Sequence, residues 1–255
     1  MSATCPGCQT ARPLDFEFSM AFQPIFDIAE ARVWGYEALI RGLKGEGAYA
    51  ILSQVAEDQR YRFDQACRVK AIELASKIFP RGETLHLSIN FLPNAVYEPS
   101  ACLRATLAAA RKSAFPQDAI MFEFTENEEV SDIAHLQNII TEYRRQGFIT
   151  ALDDFGAGYA GLGLLADFQP DLIKLDMKLI RGVETSHARQ TIIAAILHVT
   201  RELGIQVLAE GVETEAEFVN LKAAGIRLFQ GYYFAKPAFE ALPGLSAASL
   251  KAAAA

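Results

Sequence analysis

Acids, amides and a lysine recur along this chain at or just beyond the far half of successive short apolar runs. They are Glu37, Asn90, Glu123, Asp153 with Asp154, Lys174 with Asp176, Glu210 with Glu213, and Gln230. A lone carboxylate at the end of a strand is more often a cap or a solvated charge. Recurrence in run after run is harder to assign to caps. Carboxylates gathered at that density repel one another and raise one another's pKa unless something positive neutralises them, and a hard divalent cation with oxygen ligands does this best. The donor types point to Mg²⁺ or Mn²⁺. Zinc fits less well, because His86, His135, His187 and His198 stand in no ligand spacing such as HxH or HExxH and read as structural or surface residues.

Residues so far apart in sequence become neighbours only if the runs that carry them converge. The runs are Met20 to Phe26, Val33 to Ile40, Leu85 to Phe91, Ile120 to Phe124, Phe148 to Leu152, Leu172 to Leu175, Gln206 to Ala209 and Leu228 to Phe234, and their β-rich composition predicts strands. Between the later runs, apolar residues fall at helical spacing, as in Ile133, Leu136, Ile140 and Tyr143, or Ile192, Ile193, Ile196, Leu197 and Leu203. Thr214 with Glu217 reads as a capping box opening one such helix. Asp27 to Arg32 is too short to hold a helix, so the first two strands are predicted to form an antiparallel hairpin. The rest reads as repeated βα units. The expected fold is α/β: a modified TIM (β/α)8-type barrel with one antiparallel strand, whose strand ends meet at one mouth.

Composition bounds the function classes. With 255 residues, 51% of them hydrophobic, the chain can bury one substantial core. A formal charge of -7 argues against a sequence-blind binder of nucleic-acid polymers, which needs a basic stripe. No apolar run is long enough to cross a bilayer and no secretory signal pattern opens the chain, so a cytoplasmic location is expected. Four cysteines are too few and too scattered for a disulfide framework. Cys5 and Cys8 form a lone CxxC that could be half a zinc site or a redox pair, against a bland reading as part of an unstructured leader. Ala252 to Ala255 resemble an expression scar as much as natural sequence. The expected division is a leader over 1–17, one domain over 18–245 and a tail over 246–255.

The residues also match a family. Tyr36-Glu37-Ala38-Leu39-Ile40-Arg41 resembles the signature for which EAL domains are named, and Phe22-Gln23-Pro24-Ile25-Phe26-Asp27 resembles the family's opening strand. Downstream come Ser88-Ile89-Asn90, Glu123-Phe124-Thr125-Glu126, Asp153-Asp154-Phe155-Gly156-Ala157-Gly158-Tyr159, Asp171-Leu172-Ile173-Lys174-Leu175-Asp176, Ala209-Glu210-Gly211-Val212-Glu213-Thr214 and Gln230-Gly231-Tyr232-Tyr233-Phe234. All stand in the family's order. A lone Glu-Ala-Leu tripeptide would mean nothing, whereas this ordered set makes chance agreement remote.

The resemblance implies a metal-dependent phosphodiesterase that hydrolyses cyclic di-GMP to linear pGpG. By position it implies that Glu37, Asn90, Glu123 and Asp153 ligate a first cation, that Asp154 binds a second, and that Glu210 binds metal or orients water. Lys174 would touch the attacking water or the scissile phosphate, so that Glu37, Lys174, Glu210, Asp153 and Asp154 form the catalytic group. Gln23, Leu39, Arg41 and Gln230 occupy positions that resemble substrate contacts. Asp176 and Glu213 would support the ligands from behind, and Glu126 resembles the anchor of the DDFG loop. A homodimer is also implied.

Some positions depart from the family pattern: Ala157 where many members carry a small hydroxyl residue, Ala160-Gly161 where a serine pair is usual, and Phe91-Leu92-Pro93 after Asn90. None removes a proposed ligand, but lost side-chain hydrogen bonds would loosen the DDFG loop. Two other readings stand beside catalysis. One is a catalytically silent domain that binds cyclic di-GMP or a protein partner, and the other is a divalent-metal barrel hydrolase acting on a different phosphoester.

Overall fold

The computed structural model describes residues 12–125, 132–158 and 161–246. Its strands are β1 (Ser19–Asp27), β2 (Arg32–Arg41), β3 (His86–Asn90), β4 (Ile120–Thr125), β5 (Ile149–Phe155), β6 (Leu172–Leu175), β7 (Gln206–Ala209), β8 (Leu228–Phe229) and β9 (Ala238–Phe239). The helices among the described residues are α1 (Ala48–Leu52), α2 (Arg60–Ile78), α3 (Pro99–Lys112), α4 (Ile133–Arg145), α5 (Gly161–Asp167), α6 (Met177–Ile180), α7 (His187–Leu203) and α8 (Glu215–Ala223).

Strand order runs β2-β3-β4-β5-β6-β7-β8-β1, and pairing of β1 with β2 closes the barrel. Neighbours from β2 to β8 are parallel, while β1 is antiparallel to both β2 and β8. The predicted hairpin is therefore present. Its turn is held by Asp27, whose Oδ1 accepts from the amides of Ala29 and Glu30 at 2.9 and 3.3 Å. No helix among the described residues is long and apolar enough to cross a membrane.

The strands differ from the sequence expectation by more than one residue in three places. β5 continues past Leu152 to Phe155: Asp153 still pairs with Thr125 of β4, Asp153 and Asp154 form an irregularity opposite β6, and Phe155 resumes the pairing with Leu175. β8 stops at Phe229, since Gly231 takes φ +151 and the chain turns across Val212. β9 has no counterpart among the apolar runs; two residues long, it pairs with β1 at Ala21 and Phe22 and shows no periodicity to read.

Helix α8 opens with the expected capping box: Thr214 Oγ1 accepts from the Glu217 amide and Glu217 Oε2 accepts from the Thr214 amide, at 3.2 and 3.1 Å. Most of the core lies between barrel and helices, where residues such as Phe22, Phe122, Leu136, Tyr143, Ile193 and Phe218 are buried. A separate, smaller cluster of Ile25, Trp34, Met121, Ala151, Leu172, Leu208 and Leu228 fills the barrel's lower interior. Strands buried on both faces read as continuous apolar runs, which is why their burial shows little alternation.

Candidate active site

Side chains two residues apart on a strand share a face. The lower interior cluster therefore fixes what lies above it. Met121 leads to Glu123, Ala151 to Asp153, Leu172 to Lys174, Leu208 to Glu210 and Leu228 to Gln230, while antiparallel β1 leads back from Ile25 to Gln23. An apolar layer plugs the barrel, and the next layer up is almost wholly polar.

Lys174 is the centre of that upper layer. Its side chain is 0% exposed, and Nζ lies 3.3 Å from Glu37 Oε2, 3.0 Å from Glu123 Oε2, 3.1 Å from Asp153 Oδ1 and 3.1 Å from Glu210 Oε2. Glu37 is tied on two further sides: Asn90 Nδ2 donates to Oε1 at 2.9 Å and Gln230 Nε2 donates to Oε2 at 2.7 Å. Gln230 Nε2 also lies 3.3 Å from Gln23 Oε1, and Gln23 Nε2 donates to the carbonyl of Ala235 at 3.2 Å. Because Asn90 spends its amide nitrogen on Glu37, its Oδ1 is the atom left to face a ligand.

The backbone around these residues is cross-tied where the strands end. Phe91 N donates to Glu123 O, Glu210 N to Leu175 O and Gln230 N to Ala209 O, at 2.9, 3.1 and 2.9 Å. Val212 N donates to Gln230 O at 3.1 Å, and the two segments approach so closely that a Cβ on Gly231 would fall 2.1 Å from Val212 O. Only glycine fits there. Asp154 takes a left-handed φ of 55°, unusual for a residue with a side chain, and its amide donates to Asp153 Oδ1 at 2.9 Å. That bend lets two consecutive aspartates leave β5 in different directions, Asp153 onto Lys174 and Asp154 half-exposed.

Electrostatics sort the acids. Burial pushes Glu123 up to about 8, with Lys174 pulling it down and Glu37 and Asp153 pushing it up. Burial likewise drives Glu210 well above the carboxylate range against the pull of Lys174. Burial would raise Asp153 too, but Lys174, Glu210 and the Asp154 amide hold it below its ordinary value. Burial would lower Lys174, yet the surrounding acids hold it well above the usual lysine range, so it is a fixed ammonium. With one ammonium among these acids, burial and mutual repulsion favour the protonated form of Glu123 and Glu210.

A divalent cation would neutralise these acids in their ionised form. Carboxylate oxygens of Glu37, Glu123 and Asp153 all lie within 4.8 Å of one another. Glu123 Oε1 is buried without a hydrogen-bond partner, an acceptor of the kind a hard cation satisfies. The all-oxygen donor set suits Mg²⁺ or Mn²⁺.

The other candidate residues lie around this cluster. Arg41 is half-buried at the end of β2, and Nη1 donates to the carbonyl of Ile40 at 2.7 Å. Leu39 lines a largely apolar cavity of about 200 Å³ shared with Asn90, Leu52 and Phe63. Asp176 caps α6 by accepting from the Lys178 amide at 2.9 Å, and its own amide donates to Phe155 O at 3.1 Å, tying the end of β6 to β5. Glu213 pairs with Arg181 at 3.0 Å rather than with Lys174, and Arg181 also holds Glu217 at 3.0 Å. Glu126, Cys5, Cys8, Ala160 and the 252–255 run lie outside the described residues.

Sequence reasoning passes over Asp64 and Arg68, which grip the chain just beyond Asn90 from outside the barrel. The readable signal is an i,i+4 charge pair set among Phe63, Cys67 and Ala71, apolar on both sides.

Comparison with known proteins gives a consistent result. The family model described as EAL domain matches residues 10–237. A blue light- and temperature-regulated antirepressor of Escherichia coli, BluF, is 34% identical over 89% of this chain and 56% of its own length. A protein of Pseudomonas aeruginosa named as a cyclic di-GMP phosphodiesterase is 30% identical over 86% of this chain and 38% of its own length. This chain thus spans about half the length, or less, of these curated relatives. Among solved structures, a standalone EAL protein from Vibrio cholerae in its c-di-GMP-bound form is 56% identical, with a TM-score of 0.88, covering 92% of this chain and 98% of that one. A manganese and cyclic di-GMP complex of Klebsiella pneumoniae BlrP1 is 37% identical, with a TM-score of 0.82, covering 92% of this chain and 60% of that one.

Proposed function

This chain belongs to the EAL domain family, and from that premise we propose that it is a phosphodiesterase that hydrolyses cyclic di-GMP to linear 5′-pGpG with Mg²⁺ or Mn²⁺, through two ions. The observation that carries the reading is the polar layer around Lys174, which gathers Glu37, Asn90, Glu123, Asp153 and Glu210 from the ends of five strands. Glu37, Asn90, Glu123 and Asp153 would hold one cation and Asp154 a second, with Glu210 ligating or orienting water beside them. Bound there, the cations supply a lowered pKa for ligated water and screening of charge on the in-line transition state.

The chain's own residues do the rest. Lys174, fixed as an ammonium, is a donor and a permanent positive charge facing the phosphate or the attacking water, and it is not a base. Glu210, partly exposed at 30%, is the acid of the cluster best able to exchange a proton with the mouth. Gln230 and Gln23 orient Glu37 and border the substrate. Arg41 has two-pronged donors suited to a non-scissile phosphate, and Leu39 offers an apolar contact beside it. Asp176 supports the site by fixing the end of β6. Glu126 is proposed as the anchor of the DDFG loop, and Glu213 as support for the segment after β7 through Arg181.

The catalytic unit is proposed to span 18–245, to act as a homodimer and to work in the cytoplasm, where the buried thiols of Cys67 and Cys102 stay reduced. The antirepressor among its relatives favours a second reading, a domain that signals by binding. Incubation with cyclic di-GMP and Mn²⁺, beside a chelated control, separates the two by chromatography. Metal-dependent linear product is expected; intact nucleotide retained in a stable complex would transfer the proposal to the receptor reading.

A further inference from the structure

The chain that leaves Asn90 is gripped by a buried charge pair for which the reaction has no direct use. Phe91 N donates to Glu123 O at 2.9 Å, keeping the strand end on β4, and the next amide, Leu92 N, donates to Asp64 Oδ1 of α2 at 3.0 Å. Asp64 is 2% exposed, and its Oδ2 lies 2.7 Å from Arg68 Nη2 one helical turn on. Arg68 is 0% exposed. Its Nη1 donates to the Tyr143 hydroxyl of α4 at 2.6 Å, and its guanidinium carbon stands 5.3, 5.1 and 5.6 Å from the ring centroids of Phe91, Phe122 and Tyr143. Its Nε is buried without a hydrogen-bond partner.

Such a pair is an expensive way to hold a fold together. Two charges taken out of water recover their desolvation only in excellent geometry, and apolar side chains of similar volume commonly stabilise as well or better. What an apolar pair cannot do is accept the Leu92 amide. That amide lies two residues beyond Asn90, whose own position decides whether Nδ2 reaches Glu37 and Oδ1 faces the cations.

We propose that Asp64 is a positioning residue of the metal site: it straps the Leu92 amide so that Asn90 presents Oδ1 to a cation, while Arg68, wedged among three rings, neutralises the buried carboxylate that does so. Groups that orient metal ligands from outside the ligand set commonly govern metal affinity tenfold or more. The inference rests on the metal-dependent reading above but is tested on metal binding alone.

Two double variants remove both charges, so neither leaves a buried charge unpaired. Asp64→Asn with Arg68→Met keeps an oxygen for Leu92 N; Asp64→Leu with Arg68→Met removes it. Mn²⁺ affinity is measured by calorimetry without nucleotide, beside a thermal melt in chelator. The first variant is expected within about threefold of wild type and the second about tenfold weaker at a similar melting temperature. Unchanged affinity in a folded Asp64→Leu/Arg68→Met protein would overturn the inference. Hydrogen exchange on the unaltered protein provides a check that needs no variant: the Leu92 amide should be protected before metal is added, and rapid exchange there would overturn the inference too. Wild-type protein that binds Mn²⁺ normally but leaves cyclic di-GMP intact would remove the phosphodiesterase reading and leave this one standing.

Discussion

The Lys174 ammonium lies 3.0 Å from Glu123 Oε2 with neither side chain exposed, at the centre of an interior layer otherwise made of acids and amides. Among the described residues it is the only cationic side chain touching Glu37, Glu123, Asp153 and Glu210. The metal-free barrel depends on that one charge.

Lys174→Met should therefore destabilise the metal-free protein by about 3–5 kcal/mol, the usual cost of stripping the partner from buried charges. Mn²⁺ should restore a larger share of stability to the variant than to wild type. Urea melts in chelator and in Mn²⁺ measure both; equal stability of variant and wild type in chelator would contradict the electrostatic picture.

Gly231→Ala tests the cross-tie between β8 and the segment after β7. A Cβ would fall 2.1 Å from Val212 O at a φ of +151, so both backbone segments must move. A loss of stability exceeding about 1 kcal/mol is expected, together with weaker Mn²⁺ binding because Gln230 and Glu210 shift with their strands. A variant as stable as wild type would mean that the two segments have room to part.

Much of this arrangement is legible in the chain itself. β6 and β7 begin and end where their apolar runs do, and the hairpin follows from a connection too short for a helix. The polar layer is visible because Glu123, Asp153, Lys174, Glu210 and Gln230 each follow an apolar residue by two positions. Less visible is anything depending on approach between distant segments. β5 reads as ending at Leu152 because consecutive aspartates look like loop, whereas a left-handed Asp154 keeps the ladder going to Phe155. Arg68 is passed over in the sequence, since its i,i+4 pairing with Asp64 does not announce that Phe91, Phe122 and Tyr143 close around it. The Arg181 partner of Glu213, at 3.0 Å, is likewise invisible in the sequence.

The barrel's lower end carries a pH-dependent contribution. Burial would raise the Asp27 carboxyl, but Arg227 and the amides of Glu30 and Ala29 together hold it below its ordinary value. A depressed carboxyl stabilises the fold above its unfolded pKa of about 4, and that contribution is lost as pH falls through the folded value. Asp27→Asn should therefore cost about 1–2 kcal/mol at pH 7, with the gap to wild type narrowing below about pH 4. Urea melts across that range check it; a gap independent of pH would mean that the charge contributes nothing.

Arg41→Ala separates substrate binding from metal binding. Among the described residues, Arg41 touches none of the acids around Lys174 and donates to the Ile40 carbonyl. Loss of a charge-assisted contact to phosphate is expected to raise KM about tenfold or more. Mn²⁺ affinity should not change. A fall in turnover with KM unaltered would place Arg41 in the reaction itself.

The most direct measurement is single-turnover reaction of the Mn²⁺-loaded protein with cyclic di-GMP in ¹⁸O-labelled water, with the products weighed by mass spectrometry, beside Glu37→Ala. Wild type should yield one linear dinucleotide carrying a single ¹⁸O in its new terminal phosphate, and Glu37→Ala should leave the nucleotide whole. An unlabelled product, or labelled product formed equally by Glu37→Ala, would contradict hydrolysis by water held in this acid layer.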